Sequence, residues 1–428
     1  MWLTSKVKLK DVIAAQMIYD YALDPEREYV VEWMDARELL CSERLDLVAK
    51  LKLIDSRMKG LRLNFIDQLY AAHLKAVSSG RSMPDFEQFI DAIRAQGDPS
   101  AMTVLPVARG KILLDGAHRC AVGIHFNLKV PVIKVDVPPK SYDPDFFLKT
   151  FSDNRKVDYL VSEYCKLKEN VYAVFIWPRA DPGKNEEAIR KRIEAYGKII
   201  YKKEISLNLP GLHLLMSDLY EGQDWTGTID DRFAGVSRKA AACYASGGKI
   251  HVYFIEIDSL EAVLQLKEDI RALLGIGKHS IHNTDNMEET IRAAGLVLNE
   301  NSLHFLNYGN PFAFRQCYRK MDLFRKTLDE RGRSKDDAMI DSEGTLELYG
   351  LRAAKDPVFH QTSAPELICD PSHHFTFRGL KFIALEHAAP QKKPAARRAS
   401  IRLFRYSLKR HWRTAIHRIA AALRSKDE

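Results

Sequence analysis

The chain has 428 residues, 46% hydrophobic and 29% charged, with 65 Lys+Arg against 57 Asp+Glu and a formal net charge of +8. That length supports two to four domains with cores of their own, and the composition excludes disordered, collagenous and disulfide-dense classes. No apolar run approaches the roughly 20 residues that span a bilayer, no apolar stretch follows the lysines of residues 1–10 as a signal peptide requires, and Cys41, Cys120, Cys165, Cys243, Cys317 and Cys369 form no C-x-x-C pair. A cytoplasmic protein with reduced, buried thiols is expected.

The charge is uneven. Residues 392–428 hold 12 Lys+Arg and only Asp427 and Glu428, which leaves 53 basic and 55 acidic residues in the body. The positive balance belongs to the tail, so no specific nucleic-acid partner is expected for the folded body.

Residues 1–28 are weakly patterned. After YVVEWMDARELL, the stretch SERLDLVAKLKLIDSRMKG sets Leu45, Val48, Leu51 and Ile54 at helical spacing, with Ser42 able to cap. Arg44, Asp46 and Lys50 lie beside that stripe. Further helices are expected at Phe65–Val77, which carries Tyr70 and His73, and at Asp85–Ala95. By pattern alone the polar residues of these helices read first as solvated faces. Ile112–Leu114 then reads as a buried strand, Asp115-Gly116 as a sharp turn, His118–Phe126 as a helix and Val130–Val135 as a strand. A helix that starts on a tight glycine turn presents N–H groups and its positive dipole end to an anion, and Arg119 adds a forked donor suited to phosphate. Asp115 is placed to hold a metal, orient a hydroxyl or fix His118. A capped strand–turn–helix with Arg119 at the surface satisfies the same pattern.

Residues 138–168 read as a linker with a helix at Val157–Leu167. From 169 to 308, strands in NVYAVFIWP, KIIYKKEISL and KIHVYFIEI alternate with helices at Glu186–Tyr196, Leu212–Tyr220 and Leu260–Leu274, which predicts an α+β sandwich. Near its end His279, His282, Thr284 and Asp285 close around a turn before a helix at Asn286–Leu298, and Lys267 and Arg271 lie one turn apart on the preceding helix. A histidine so placed can accept a phosphoryl group or serve as a general base, with Arg271 neutralising phosphate oxygens; a hydrogen-bonded turn that caps the next helix is the alternative. NENSLHFLN reads as an apolar strand or turn, and Pro311–Leu328 as a helix. A third unit, 309–389, has its core at Asp341–Val358. The tail, 390–428, sets Ile401, Phe404, Leu408, Trp412, Ala415, Ile419 and Leu423 on one side of a basic amphipathic helix. That suits an anionic membrane surface through 401–424, or packing on the protein or a second subunit.

Several stretches resemble known families. LLDGAHRCAVGIHFNLKVPVIKV resembles the signature of the ParB/sulfiredoxin-like fold, in which a D-G-x-H-R segment between strand and helix binds nucleotide phosphates. The resemblance implies a nucleotide-binding domain over 1–137, with Gly116, His118 and Arg119 on the phosphates and Asp115 on substrate or metal. The order R-x-D-L-V-A-K (Arg44–Lys50), L-Y-x-x-H (Leu69–His73), D-G-A-H-R and E-Y-C-K (Glu163–Lys166) resembles multidomain proteins linked to cell-surface polysaccharide synthesis. It implies that Arg44, Asp46, Lys50 and His73 approach the phosphate site, with Asp46 as a base. Ile270-Arg271 and His282-Asn283-Thr284-Asp285 resemble the I-R-G and H-G-S-D segments of nucleoside diphosphate kinases, which implies a ferredoxin-like sandwich. His282 and Asp285 would then be catalytic, and Lys267, Arg271, His279 and Thr284 phosphate-binding. Trp177-Pro178 stands where that family has its lysine. Asp341–Val358 resembles a nucleotidyltransferase signature whose second metal-binding Asp is Val358 here, which implies a degenerate unit.

Together these readings predict an α+β and α/β multidomain chain: a ParB/sulfiredoxin-like domain, a nucleoside-diphosphate-kinase-like sandwich and a small α+β unit. The expected activity is that of a nucleotide-dependent phosphotransferase of kinase type. By resemblance it would use ATP or CTP with Mg2+, at metal ligands the sequence does not name. The acceptor would be a small hydroxylated, sugar or polyol precursor of surface polysaccharide, with the tail holding the enzyme at the inner face of the membrane. The alternative is a nucleotide-gated scaffold or DNA-associated protein of the ParB kind, which calls for a helix-turn-helix and a basic body.

Overall fold

A computed structural model describes residues 6–12, 15–77, 82–96, 103–362 and 364–388 of the protein. The tail from 390, with its proposed membrane helix at 401–424, lies outside them. The fold is mixed α+β, with several small sheets, and divides into two units.

The first unit takes the described residues within 6–207, 241–299 and 369–371. Its N-terminal part is a three-stranded sheet with helices packed around it. In chain order the elements are β1 (Glu32–Asp35), α1 (Asp46–Met58), α2 (Asn64–Ala76), α3 (Met83–Gln96), β2 (Leu105–Val107), α4 (Ala117–His125) and β3 (Lys129–Lys134). β3 is central, antiparallel to β1 and parallel to β2. Leu47, Val48, Leu51 and Ile54 of α1 are buried, as their spacing requires. Two expectations change. Ile112–Leu114 forms a single bridge, Val107 to Leu113, rather than a strand. The turn at Arg109–Lys111 folds the chain back on β2, and Gly116, at φ 81°, diverts it again before a second pair can form. Ser42 does not cap α1, whose N-cap is Leu45. Its hydroxyl instead donates to Glu256 at 3.2 Å and accepts from Lys198 at 2.6 Å.

The same unit continues through α5 (Arg155–Cys165) into β4 (Val171–Ile176), α6 (Glu186–Glu194), β5 (Lys198–Ile205), β6 (Ile250–Glu256), α7 (Leu260–Leu274), β7 (Ile281–Asn283) and α8 (Met287–Val297). The sheet order is β5-β6-β4-β7 with every neighbouring pair antiparallel. Strands joined by a helix are therefore separated by one intervening strand. Val174, Ile176, Tyr253, Ile255 and Ile281 on one sheet face pack against Ile189 and Ile193 of α6 and Val263, Leu266 and Ile270 of α7. The expected linker helix is a structural brace: Glu163 pairs with Lys52 of α1 at 2.8 Å, and the Tyr164 hydroxyl donates to Glu256 of β6.

Gly197 ends the turn between α6 and β5 and lies against the β6 backbone. A Cβ there would overlap the Glu256 carbonyl and meet Ile257 Cγ1 at 2.6 Å, whereas one at Gly183 would meet nothing within 4 Å. Gly197→Ala should therefore cost about 1–3 kcal/mol in urea unfolding, and Gly183→Ala should change little. Equal midpoints for the two variants would contradict this packing.

The second unit takes the described residues within 208–240, 300–368 and 372–388. Residues 208–240 and 300–308 thus pack with the C-terminal elements, where the sequence reading had placed them in the middle domain. NENSLHFLN is helical, Glu300–Tyr308, not a strand. It lies beside the Leu209–Leu219 helix, and the Asn208 amide nitrogen donates to the Asn307 carbonyl at 2.8 Å. A four-stranded sheet, ordered Gln361–Thr362, Met339–Ile340, Leu380–Ile383 and His374–Phe377, supports a core of Phe305, Phe375, Phe377 and Phe382. Among the described residues no helix is long and apolar enough to cross a membrane. None of the six cysteines is in a disulfide; four are buried, while Cys41 and Cys369 are partly exposed, so burial of every thiol does not hold.

Candidate functional site

The α1 sequence places Asp46 and Lys50 one helical turn apart, and α2 places Tyr70 and His73 on one face by their spacing of three. Packing turns these faces inward. Arg44, Asp46, Lys50 and His73 are each no more than 2% exposed, so the solvated reading of these residues is wrong. Arg44 grips Asp46 with two parallel bonds, Nε to Oδ1 at 2.7 Å and Nη2 to Oδ2 at 2.8 Å. Lys50 Nζ donates to Asp46 Oδ2 at 3.0 Å and lies 2.7 Å from His73 Nε2. The Arg44 guanidinium also stacks over Tyr142, 5.3 Å from the ring centre. Its Nη1 donates to the Leu113 carbonyl, so the cluster is tied directly to the chain entering the Asp115-Gly116 turn.

Burial disfavours every charge here, and the partners decide which survive. It opposes ionisation of Asp46, but the charges of Arg44 and Lys50 prevail and hold the carboxyl far below the usual carboxylate range. Burial pushes Lys50 down against the pull of Asp46. Burial and the neighbouring Lys50 ammonium push His73 well below 6.5, so its imidazole is neutral. Two cations face one carboxylate, and the cluster carries a net positive charge. A carboxylate this strongly held is a poor proton acceptor, so Asp46 positions Arg44 and Lys50 rather than acting as the expected base.

The turn lies against this cluster. Gly116 is the left-handed N-cap of α4, and a Cβ on it would meet Arg119 Nη2 at 2.7 Å. His118 Nε2 lies 2.7 Å from the Tyr70 hydroxyl, with the ring edge-on to Phe86 at 4.3 Å between centroids. Arg119 bonds Thr103 Oγ1 and approaches Asp115 to 4.0 Å. Cys120, one turn into α4, is buried and senses Arg44, Asp46 and Lys50 electrostatically; burial pushes its thiol up to about 12. The structure therefore brings Arg44, Asp46, Lys50, His73, Asp115, Gly116, His118 and Arg119 into one region. It adds Tyr70, Phe86, Thr103 and Tyr142, which the sequence reading did not place at the site. Only Tyr70 carried a signal, its position three residues before His73.

The middle cluster is arranged differently. Strand alternation sets His282 on the sheet face opposite Ile281, away from α7. His282 is 5% exposed, tilted against Phe175 at 6.1 Å and stacked on Trp177 at 6.3 Å between ring centres. Arg271, on α7, pairs with Glu268 at 2.5 Å. The expected His282–Arg271 pairing is thus separated by the sheet. Thr284 is a clamp: its hydroxyl accepts from the Ala173 N–H at 2.9 Å and lies 2.8 Å from the Thr290 hydroxyl. Asp285 accepts from the Asn283 amide at 3.0 Å, its own N–H donates to Glu289, and Asn286 caps α8. Lys267, pushed down by burial, feels the Asp285 charge. His279 lies 3.9 Å from Cys243 Sγ. This geometry matches the helix-capping alternative, with His282 in the sheet rather than at an open turn.

In the second unit Asp341 caps the short Ser342–Leu348 helix, accepting from Glu343 and Gly344 N–H groups at 3.0 and 3.4 Å. Its carboxylate fills the place where the nucleotidyltransferase resemblance implied a phosphate. Asp356 pairs with His360 at 2.7 Å. No protein-family model matches the chain, and a search of curated proteins finds no match.

Proposed function

We propose that the protein is a nucleotide-dependent phosphotransferase whose site lies at the Asp115–Arg119 turn. The supporting observation is the pair Arg44 and Lys50, neutralised by one carboxylate only and buried behind the first turn of a helix. A positive interior beneath a helix N-terminus favours a dense anion, and a phosphate chain of ATP or CTP, with its Mg2+, is the ligand that suits it. Gly116 lets the backbone approach the phosphates, Arg119 supplies a forked donor from a partly exposed position, and His118, oriented by Tyr70, faces the acceptor. Asp115, the partly exposed carboxylate of the turn, orients the acceptor hydroxyl or the metal. The acceptor is a small hydroxylated molecule, with a sugar or polyol precursor of surface polysaccharide as the class implied by the R-x-D-L-V-A-K to D-G-A-H-R order. The β5-β6-β4-β7 order of the middle sheet supports reading it as a ferredoxin-like sandwich, which fits a nucleotide-handling chain, but the chemistry is assigned to the N-terminal site alone.

The test is equilibrium binding and turnover of ATP and CTP, with and without Mg2+. Arg119→Ala removes a charge-assisted contact worth about 1.5–3 kcal/mol, so binding should weaken about 10- to 100-fold with the fold intact. His282→Ala should leave binding unchanged. Full binding and turnover in Arg119→Ala would reject the proposal.

A further inference from the structure

A second group of ligand-type side chains lies at the edge of the middle sheet. Glu186 opens α6, Glu204 lies on edge strand β5, and His251 faces Glu204 across the β5–β6 pairing. The His251 ring is 2% exposed, with Nε2 3.6 Å from Glu204 Oε1 and Nδ1 4.0 Å from Glu186 Oε2. One ligand atom from each residue lies within 4.8 Å of the others. His251 Nδ1 is buried without a hydrogen-bond partner, and so is the hydroxyl of Tyr253, two residues along on the same sheet face. A buried polar atom left in this state is a deficit that a bound ligand removes.

Two carboxylates and one imidazole form a donor set for a borderline-soft divalent cation, with positions left for water. We propose that Glu186, Glu204 and His251 form a divalent-cation site of zinc type, separate from the nucleotide site, which ties α6 to the edge of the sheet. Burial and the nearby Lys202 charge keep His251 below its ordinary pKa, in the neutral form that ligates. The Tyr253 hydroxyl feels the charges of Glu186 and Glu204, and its ring lies 6.5 Å from that of His251. The local cations are competitors. Lys202 Nζ bridges Glu186 Oε1 at 2.6 Å and Glu204 Oε1 at 2.9 Å, and Lys249 holds Glu204 Oε2 at 2.6 Å. The Lys202 ammonium is the internal occupant that the metal displaces; its side chain is 24% exposed, so it has a route to solvent.

The full-length, chelator-stripped protein is titrated with Co2+, read by its visible ligand-field absorption, and then with Zn2+ in competition. One equivalent of Co2+ should bind and be displaced by Zn2+. His251→Ala and Glu204→Gln should each weaken binding at least about tenfold, and Lys202→Met should tighten it about tenfold or more by removing one competing charge. Absence of saturable binding overturns the proposal. So does one-equivalent binding that both ligand variants leave unchanged, which would place the metal elsewhere. If His251→Ala does not fold, Glu204→Gln, at a partly exposed carboxylate, decides the matter.

Discussion

Asp46→Ala should lower the unfolding free energy by about 3–5 kcal/mol, the largest loss expected from any single change in the first unit. The variant leaves Arg44 and Lys50 in the interior without their shared counter-ion. Two bonds from Arg44 and one from Lys50 lose their acceptor together. The cost reflects the uncompensated buried charges left behind rather than the worth of the ion pairs, and a second variant separates the two. Replacing Arg44, Asp46 and Lys50 together by Met, Leu and Met should restore much of the lost stability, since apolar replacements of a buried ionic group are often neutral or stabilising. The triple variant should nevertheless bind no nucleotide, because the positive charge beneath the α4 turn is gone. Urea unfolding followed by circular dichroism measures the first effect, and nucleotide binding the second. If Asp46→Ala unfolds at the wild-type midpoint, the buried cluster as described is wrong.

Acid should weaken the protein well before its carboxylates titrate. His73 is neutral in the folded protein because burial and the Lys50 ammonium disfavour its protonation, whereas an unfolded chain protonates it near pH 6.5. Below that pH the unfolded state binds one more proton than the folded state at this position, so stability falls as pH falls. The slope from this one group is about 1.4 kcal/mol per pH unit, starting near pH 6.5 and continuing down toward its depressed folded pKa. Asp46 adds a second loss further down. Its folded pKa is depressed, so its contribution is complete above the unfolded value of about 3.9 and is lost as pH drops below it. His213 and His251 are shifted in the same direction as His73, so the wild-type slope is a sum. The difference between wild type and His73→Gln isolates one residue. Unfolding free energies between pH 7.5 and 5 should show a shallower decline in the variant, and parallel curves would mean that His73 is not buried in its neutral form.

The elements that were legible in the sequence are those whose periodicity is strong and whose ends are marked. Leu260–Leu274 agrees with its expected span, with Ser259 capping one end and left-handed Gly275 closing the other. The buried strands of the middle sheet stand out as continuous apolar runs because both faces are covered. NENSLHFLN reads ambiguously because nine residues with three apolar positions fit a strand as well as a helix, and contact with the Leu209–Leu219 helix decides between them. The Ile112–Leu114 strand failed for a different reason. Strand propensity was present, but the turns at Gly110 and Gly116 leave room for one bridge only.

For the candidate sites, the sequence by itself determined the inventory. It placed an Asp-Gly turn before a helix, an Arg–Asp–Lys set at helical spacing, and a cluster of polar residues before α8. The tertiary structure decided which of these meet. Local spacing relates residues within three or four positions, so it set Asp46 beside Lys50, but it could not set Lys50 2.7 Å from His73 or join Arg44 to Leu113. Those contacts exist because α1, α2 and α4 bury their apolar stripes against one another and carry the charged residues inward with them. The same limit worked against the second cluster. His282 and Arg271 are close in sequence, yet a period of two along β7 places His282 on the far face of the sheet from the helix that carries Arg271. Glu186, Glu204 and His251, scattered over more than sixty residues, are neighbours only because β5 and β6 pair in one register and α6 starts at their edge.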